Sequence, residues 1–131
     1  MSRENVELVR GNLERFREGE TESAFAHFAP DVEWVVAKEH PESTTHRGTS
    51  AIRAYLATWS ESVADWELEA DEFIDAGDRV AVVGHFRGRG KESGAELSVQ
   101  VALVSLVREG VVVRVEEYLD RDEALAAAGV K

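Results

Sequence analysis

The chain has 131 residues, a length typical of one domain with its own hydrophobic core, so we expect a single domain over residues 1–131. It contains no cysteine and carries a net charge of −11, which excludes disulfides and thiolate chemistry and disfavours nucleic acid and acidic membranes as partners. No stretch is apolar enough for a signal peptide or a membrane span, so we expect a cytoplasmic protein that does not contact membranes.

Two helices are predicted near the N-terminus. Between Val6 and Phe16, apolar residues recur at steps of three and four, which places them on one face of a helix. A second, short helix is predicted from Thr21 to Phe28. Pro30 should stop it, because proline cannot continue a helix.

A short strand and a third helix are predicted next. Residues 31–36 alternate with period two and place Trp34 on the apolar side. Residues 37–48 show no periodicity, so we expect a loop of about a dozen residues, a length at which a functional role is a fair suspicion. Thr49 can cap the third helix. Its inward-facing residues would be Ile52, Tyr55, Leu56, Trp59 and Val63.

The C-terminal half predicts an antiparallel meander. Residues 66–74 alternate apolar and charged side chains, and three runs rich in β-branched residues follow at 80–87, 97–107 and 111–119. Gly77 supplies the positive φ that the first hairpin turn needs. The pattern therefore predicts four consecutive strands joined by tight turns.

A small C-terminal helix completes the predicted order. Asp120 can cap it, residues 123–128 form it, and Gly129 ends it. The order α-α-β-α-β-β-β-β before it is that of an α+β protein whose helices cover one face of a sheet. Because sheets twist, we expect a strongly curved, mostly antiparallel sheet wrapped around the N-terminal helices, forming a cone with an apolar cavity.

Six short motifs are spread along the chain: Ala29–Trp34, Arg47-Gly48, Gly77–Val80, Ser93-Gly94, Arg108–Gly110 and Tyr118-x-Asp120. With them the chain resembles the NTF2-like superfamily, specifically its SnoaL-like branch of polyketide cyclase and ketosteroid isomerase-like domains. The resemblance implies a cone-shaped α+β barrel, the NTF2-like or cystatin-like fold. The same scaffold carries isomerases, cyclases, epoxide hydrolases and non-catalytic binding modules, so fold alone does not name a reaction.

Two enzyme branches of the superfamily can be compared with this chain residue by residue. Where ketosteroid isomerases carry a general-base aspartate on the first strand, this chain has Trp34, and an indole takes no proton at neutral pH. In epoxide hydrolases similar to limonene-epoxide hydrolase, the carboxylate position on the last strand corresponds to Glu117. The positions of their arginine and aspartate pair fall on Gly84 and Phe86. Neither catalytic set is complete.

Glu117 is the catalytic candidate that remains. Strict alternation along the last strand puts it on the side of Val113 and Val115, which should face the cavity. A carboxylate among valines is expected to have a raised pKa and could act as an acid or base. The alternative is a carboxylate at the strand end that is solvated or paired with an arginine.

Gln100 and His85 are the other polar candidates on the strands. Residues 97–107 are apolar on both sides, which predicts burial of both faces, and a homodimer interface is a common use of this sheet in the superfamily. Gln100 is therefore either a hydrogen-bonding group for a ligand in the cavity or an interface amide. The parity of His85 favours the outer face of the sheet. We expect no metal or cofactor, because His40 and His46 lack the spacing of a metal site.

The sequence therefore predicts a binding module for a small hydrophobic or aromatic metabolite, working as a homodimer. The alternative is an isomerase, cyclase or epoxide-hydrolase-type enzyme with Glu117 as acid or base. The predicted pocket residues are Trp34, Tyr55, Trp59, Phe86, Gln100 and Glu117.

Overall fold

Residues 2–41 and 43–130 are described in the computed structural model of the protein. In this part of the chain, four helices and six strands follow one another. The helices are α1 (Ser2–Arg17), α2 (Thr21–Ala24), α3 (Thr49–Trp59) and α4 (Arg121–Ala128). The strands are β1 (Phe28–Val35), β2 (Thr45–Arg47), β3 (Val63–Ala76), β4 (Arg79–Gly90), β5 (Glu96–Arg108) and β6 (Val111–Tyr118).

All six strands belong to one sheet, in the order β2-β1-β6-β5-β4-β3. Strands β3 to β6 form the predicted antiparallel meander, whereas β1 pairs in parallel with β6. The sheet does not close into a barrel, because β2 and β3 remain as its edges. The predicted α+β architecture, with a curved, mostly antiparallel sheet following N-terminal helices, is confirmed.

Apolar side chains are buried on both faces of the sheet. The main core lies between its inner face and the first three helices, where Val32, Ile52 and Val80 have no exposed surface. A second, smaller core lies on the outer face, where α4 covers Ala102 and Val104. Strand β5 is therefore buried on both faces in this region, as its sequence predicts, but its outer cover is a helix of the same chain.

The segment around Pro30 differs from the prediction. The second helix ends at Ala24 rather than Phe28, and β1 begins at Phe28 with Pro30 inside it. Phe28 pairs with Val112 of β6, and the ladder is irregular between Phe28 and Glu33. Proline is tolerated at such an irregularity because no ladder hydrogen bond needs its missing N–H. Pairing with β6 therefore overrides the local helical pattern.

The predicted loop over residues 37–48 and the end of the third helix also need correction. The loop contains β2, which pairs antiparallel with β1 and places His46 opposite Trp34. A strand of three residues is too short to show a period, so sequence patterns do not detect it. Val63, predicted on the buried face of the helix, instead begins β3 opposite Gly90.

A bulge changes which valines of β6 face inward. Leu106 pairs with Arg114 but the next residue, Val107, pairs with Val112, so β6 holds one extra residue at Val113. As a result Val112 is buried, where strict alternation had placed Val113 inward. Beyond the bulge the alternation resumes, and it carries Glu117 to the inner side of the sheet.

Candidate functional site

A cavity of about 80 Å³ lies between α1, the segment around α2 and the inner face of the sheet. Its walls are mostly apolar, and two polar side chains, Asn12 and Ser105, also line it. Both are nearly inaccessible to solvent, at 7% and 5% exposure. The largest apolar groups around it are Leu13, Phe16, Phe25, Phe28, Trp34, Leu56, Leu68 and Leu103.

Asn12 carries a buried hydrogen-bond donor beside the cavity. Its Oδ1 accepts a bond of 2.7 Å from the Arg15 guanidinium. Because a guanidinium only donates, this contact fixes which amide atom is oxygen. In the part of the chain that the structure describes, the buried Nδ2 atom has no hydrogen-bond partner. Leaving such a donor unpaired costs about 1–3 kcal/mol, so its retention needs an explanation.

Ser105 approaches the cavity from the opposite wall. It lies on β5 directly across from Val115 of β6, and it shares the inward side of β5 with Leu103. Sequence analysis did not single out Ser105 or Asn12. The available signal was a polar residue at an apolar position, since Asn12 stands three residues after Val9 on the buried stripe of α1.

Glu117 is held by three donors from three different segments. Its Oε2 accepts bonds from Trp34 Nε1 at 2.5 Å and from the Tyr55 hydroxyl at 2.9 Å. Its Oε1 accepts a bond of 3.2 Å from the backbone N–H of Ala37. The carboxylate thus connects β1, α3 and β6 on the inner side of the sheet.

Tyr55 is a firm donor in this arrangement. Burial raises the pKa of its phenol well above the ordinary value of 10.0, and the adjacent Glu117 carboxylate raises it further. The side chain is 7% exposed. Its ring stacks on His46 of β2 with 4.6 Å between ring centres. Tyr55 therefore keeps its proton and points it at Glu117 throughout the neutral pH range.

Trp34 separates this polar cluster from the cavity. Its ring lines the cavity, while its Nε1 atom faces away and donates to Glu117. Tyr55 and Glu117 are not among the residues that line the cavity. The expected inward position of Glu117 is therefore observed, but its contacts are an indole, a phenol and a backbone amide rather than valines.

Trp59 and Phe86 belong to an aromatic cluster beside the cavity lining. Their rings meet edge to face with 5.1 Å between centres, and Trp66 packs against both. Tyr55 joins the row through Trp59, at 5.4 Å. Neither of these two predicted pocket residues lines the cavity, because their rings pack against one another and against Trp66.

Gln100 stands on the outer side of the sheet. It is exposed, and it pairs across the ladder with His85, whose Nδ1 lies 2.7 Å from Asp71. Residues of the same parity on β5, Ala102 and Val104, lie under α4. Gln100 therefore does not reach the cavity, and of the two predicted alternatives only the outer-face position agrees with the structure.

The sheet leaves no space for a side chain at position 84. A Cβ atom on Gly84 would overlap the carbonyl oxygen of Glu69 on β3. The two strands are this close because the β3–β4 ladder shifts register between Ala70 and Glu72. The arginine that epoxide hydrolases would place here is thus excluded by backbone geometry.

Two other kinds of feature are absent from the described residues. No group of three or more histidine, aspartate or glutamate side chains in residues 2–41 and 43–130 could hold a metal ion. None of the helices described there is both long and apolar enough to cross a membrane.

The helices, the open mixed sheet and the cavity between them define an NTF2-like α+β domain. Residues 9–115 match the SnoaL-like domain family, and the chain belongs to that family. Among curated protein sequences, none matches this chain.

Several solved structures are similar over nearly the whole chain. An NTF2-like protein from Burkholderia xenovorans LB400 is 34% identical, with 98% of this chain and 97% of that chain covered and a TM-score of 0.75. An NTF2-like protein of unknown function from Burkholderia pseudomallei K96243 is 25% identical, with coverage of 94% and 95% and a TM-score of 0.79. TerC, co-crystallised with polyporic acid, is 25% identical, with coverage of 96% and 98% and a TM-score of 0.78.

Proposed function

We propose that this SnoaL-like domain binds a small hydrophobic or aromatic metabolite in the cavity beside Trp34. The observation that carries the proposal is an apolar interior space with two buried polar groups on its walls, a combination typical of small-molecule sites. Protein cores are otherwise close-packed, since atoms beside a void lose their contacts. The co-crystallisation of TerC with polyporic acid supports ligand binding on this scaffold.

The size of the cavity sets a condition on the ligand. At about 80 Å³, it is smaller than the roughly 150 Å³ apolar cavity that holds a benzene ring. Binding a ring therefore requires lining side chains to move apart. The wall at Phe25 is the one expected to yield, because α2 before it is a single turn without a side-chain N-cap.

Filling the cavity tests the proposal. Ala24 lines it and is 3% exposed, so Ala24→Leu adds three carbons to the space that a ligand would occupy. We expect wild-type protein to be stabilised by small apolar ligands in thermal unfolding, by about 2.7 kcal/mol at 100 times the dissociation constant. Ala24→Leu should abolish this response, whereas Ala26→Leu, at an exposed position nearby, should keep it. Equal responses from both variants would place binding elsewhere.

A second candidate function is an enzyme of the isomerase, cyclase or epoxide-hydrolase type. The observation that favours it is the direct contact of Glu117 with Tyr55. A carboxylate beside a phenol can act on one substrate group, the carboxylate as acid or base and the phenol as a hydrogen-bond donor. It ranks second because both carboxylate oxygens accept bonds from the chain and because Trp34 stands between Glu117 and the cavity.

Glu117→Gln discriminates between the two functions. The substitution keeps the shape of the side chain and removes its acid–base capacity. A binding module should retain ligand affinity and show no turnover before or after the change. An enzyme of this type should turn over candidate epoxide or carbonyl substrates as wild type and lose that activity in Glu117→Gln.

Homodimer formation through the sheet belongs to the same proposal. The apolar residues of β5 that predicted it, Ala102 and Val104, are already covered by α4. An interface would therefore use the exposed part of the outer face around Gln100. Light scattering at micromolar concentration should give twice the mass of one chain, and a monomer mass would contradict this part.

A further inference from the structure

We infer that the ligand site continues out of the cavity along the inner side of β5, past Leu103 and Val101 to Val99, and that it takes an elongated apolar molecule. The inference rests on the proposed function, since one end of this molecule lies in the cavity beside Trp34. It deepens that function because it gives the shape of the ligand and identifies Val99 and Val101 as residues that select for its length.

A smaller hollow adjoins the cavity on the side of β5. It measures about 10 Å³, the space of about one water. Val101 and Ala70 line the hollow but not the cavity. Because the two spaces share wall residues, the hollow lies directly beside the cavity, toward the start of β5. The shared side chains are Leu13, Leu68, Val82 and Leu103.

Apolar side chains continue this line on the inner side of β5. The ladder between β4 and β5 is regular along its whole length, so alternate residues of β5 stay on one side of the sheet. Leu103 lines the cavity, Val101 is half-buried at the hollow, and Val99 is 43% exposed. These three side chains form the β5 strip, which runs from the cavity to solvent.

The outer end of the β5 strip lacks a cover that its sequence pattern calls for. Ser98 and Gln100, on the outer side, are polar and exposed, so the strand alternates as if the inner side were buried. A single exposed apolar side chain needs no explanation. Val99, however, continues the line of the cavity wall, and its cross-strand partner Phe86 is also apolar. The far end of a bound ligand provides the missing cover.

The dimensions favour a chain over a ring. A cavity of about 80 Å³ is smaller than the roughly 150 Å³ that holds benzene, so a compact ring must push the walls apart. An alkyl chain is narrower and can extend through the hollow onto Val99 instead. A charge along its length is disfavoured, because the β5 side chains that it passes are apolar and an unpaired buried charge is costly. The ligand is therefore apolar along its length, and any polar group belongs at its outer end.

A series of linear alcohols measures how far the site extends. 1-Butanol, 1-hexanol and 1-octanol differ only in length, and their dissociation constants are obtained by NMR titration of wild-type protein and three variants. Val99→Thr keeps the branched shape of the side chain but replaces a methyl group by a hydroxyl. Gln100→Thr is the matched control, because Gln100 is the next residue and stands on the outer side of the sheet. Ala24→Leu fills the cavity.

In the wild-type protein, affinity should keep rising with chain length. The β5 strip covers a chain on one side only, so we expect roughly twofold tighter binding for each added methylene, about half the gain in free energy of full burial. Val99→Thr should weaken 1-octanol by roughly twofold to threefold and leave 1-butanol unchanged, since only the longer chain reaches position 99. Gln100→Thr should change neither alcohol, and Ala24→Leu should weaken both.

The outcomes separate the extension from the proposed function. If 1-butanol binds in the cavity, but 1-octanol binds no tighter or responds to Val99→Thr no more than 1-butanol does, the extension is overturned while ligand binding in the cavity stands. If Val99→Thr weakens 1-octanol but Ala24→Leu does not, the β5 strip is a separate surface site and its continuity with the cavity is overturned. If wild type binds none of the three alcohols, ligand binding in the cavity is overturned, and the extension with it.

Discussion

Trp34 connects the two parts of the site at the level of a single residue. Its ring is a wall of the cavity, and its Nε1 atom is a donor to Glu117. This is the position that corresponds to the general base of ketosteroid isomerases. The indole takes up no proton there and makes a fixed hydrogen bond instead. The Glu117 carboxylate therefore holds in place a residue that forms a wall of the cavity.

Trp34→Phe should separate the wall from the hydrogen bond. The variant keeps an aromatic wall but leaves Glu117 without its shortest contact, so we expect a loss of about 1.5–3 kcal/mol, typical of a hydrogen bond to a charged group. Trp66→Phe is the matched control, because Trp66 Nε1 donates to the neutral hydroxyl of exposed Ser60. Urea unfolding of both variants measures the difference, and equal losses would show that Glu117 does not depend on Trp34.

Comparing the two tyrosines provides a pH test of the contact between Tyr55 and Glu117. Burial and the neighbouring Glu117 raise the pKa of Tyr55, and burial followed by its contact with Glu116 raises the pKa of Tyr118 to about 12. A raised folded-state pKa gives stability that is fully present below the unfolded value of about 10 and is lost as pH rises toward the folded value.

Ultraviolet absorbance should therefore show no phenol ionising near pH 10 while the protein is folded. In Tyr55→Phe, the remaining tyrosine should titrate at about 12, and the fall in stability above pH 10 should become less steep. A wild-type phenol with the ordinary midpoint would contradict the buried contact between Tyr55 and Glu117.

Among the elements, the β3–β4 pair sets which residues can occupy the inner face. Gly84 lies beneath the register shift of β3, and a Cβ atom there would meet the backbone of Glu69. A polar side chain at position 84 would therefore require the backbones of β3 and β4 to move apart.

Gly84→Ala should destabilise the protein by about 1–3 kcal/mol, because backbone atoms must move to admit the methyl group. Gly11→Ala makes the same chemical change in α1, where the nearest atom is the flexible end of Arg15 at 3.2 Å. It should stabilise the protein by about 0.5–1 kcal/mol. Thermal or urea unfolding of both variants checks the opposite signs, and a neutral Gly84→Ala would refute the close approach.

The elements also show what sequence patterns could and could not predict. The meander was predictable because long β-branched runs and turn glycines such as Gly77 specify it locally. The three-residue β2 and the early start of β1 were not, since both form by pairing with distant segments. The bulge at Val113 likewise breaks an alternation that no local residue marks.

For the site, prediction succeeded where parity along one strand decides the outcome. Glu117 and Trp34 were placed inward from alternation alone. Trp59 and Phe86 were misplaced because ring contacts between residues far apart in the chain decide which rings meet the cavity. Asn12 and Ser105 were missed because the sequence shows each only as a polar residue that interrupts an apolar pattern. The cavity that gives them a possible role is visible only in the structure.

At the scale of the whole molecule, α4 covers apolar residues on the outer face of the sheet and forms a second core with them. Ala124 and Ala128 of α4 pack on Ala81 and Val104. Asp120 caps the helix by accepting from the Asp122 N–H at 3.0 Å. The apolar patch of the outer face around Ala102 and Val104 is thus covered by a helix of the same chain.

Removing this cover should expose the apolar patch. Ala124 is fully buried, so Ala124→Asp places a carboxylate against the outer core and should destabilise the docked helix by about 1–3 kcal/mol. Ala126→Asp, on the exposed side of the same helix, should change stability little. Unfolding curves and light scattering should show lower stability and more self-association for Ala124→Asp alone. Identical behaviour of the two variants would mean that α4 is not the cover.

The binding of a small apolar molecule beside Trp34 is tested most directly by an NMR titration of wild-type protein with cyclopentanone. The chain has three tryptophans, and their indole N–H signals report separately on the cavity wall and on the aromatic cluster beside it. We predict a saturable shift of the Trp34 signal, with backbone amides at Leu13 and Ser105 shifting in parallel and with the Trp66 signal nearly unchanged. An unchanged Trp34 signal at saturating ligand, or shifts confined to the outer face around Gln100, would contradict the account.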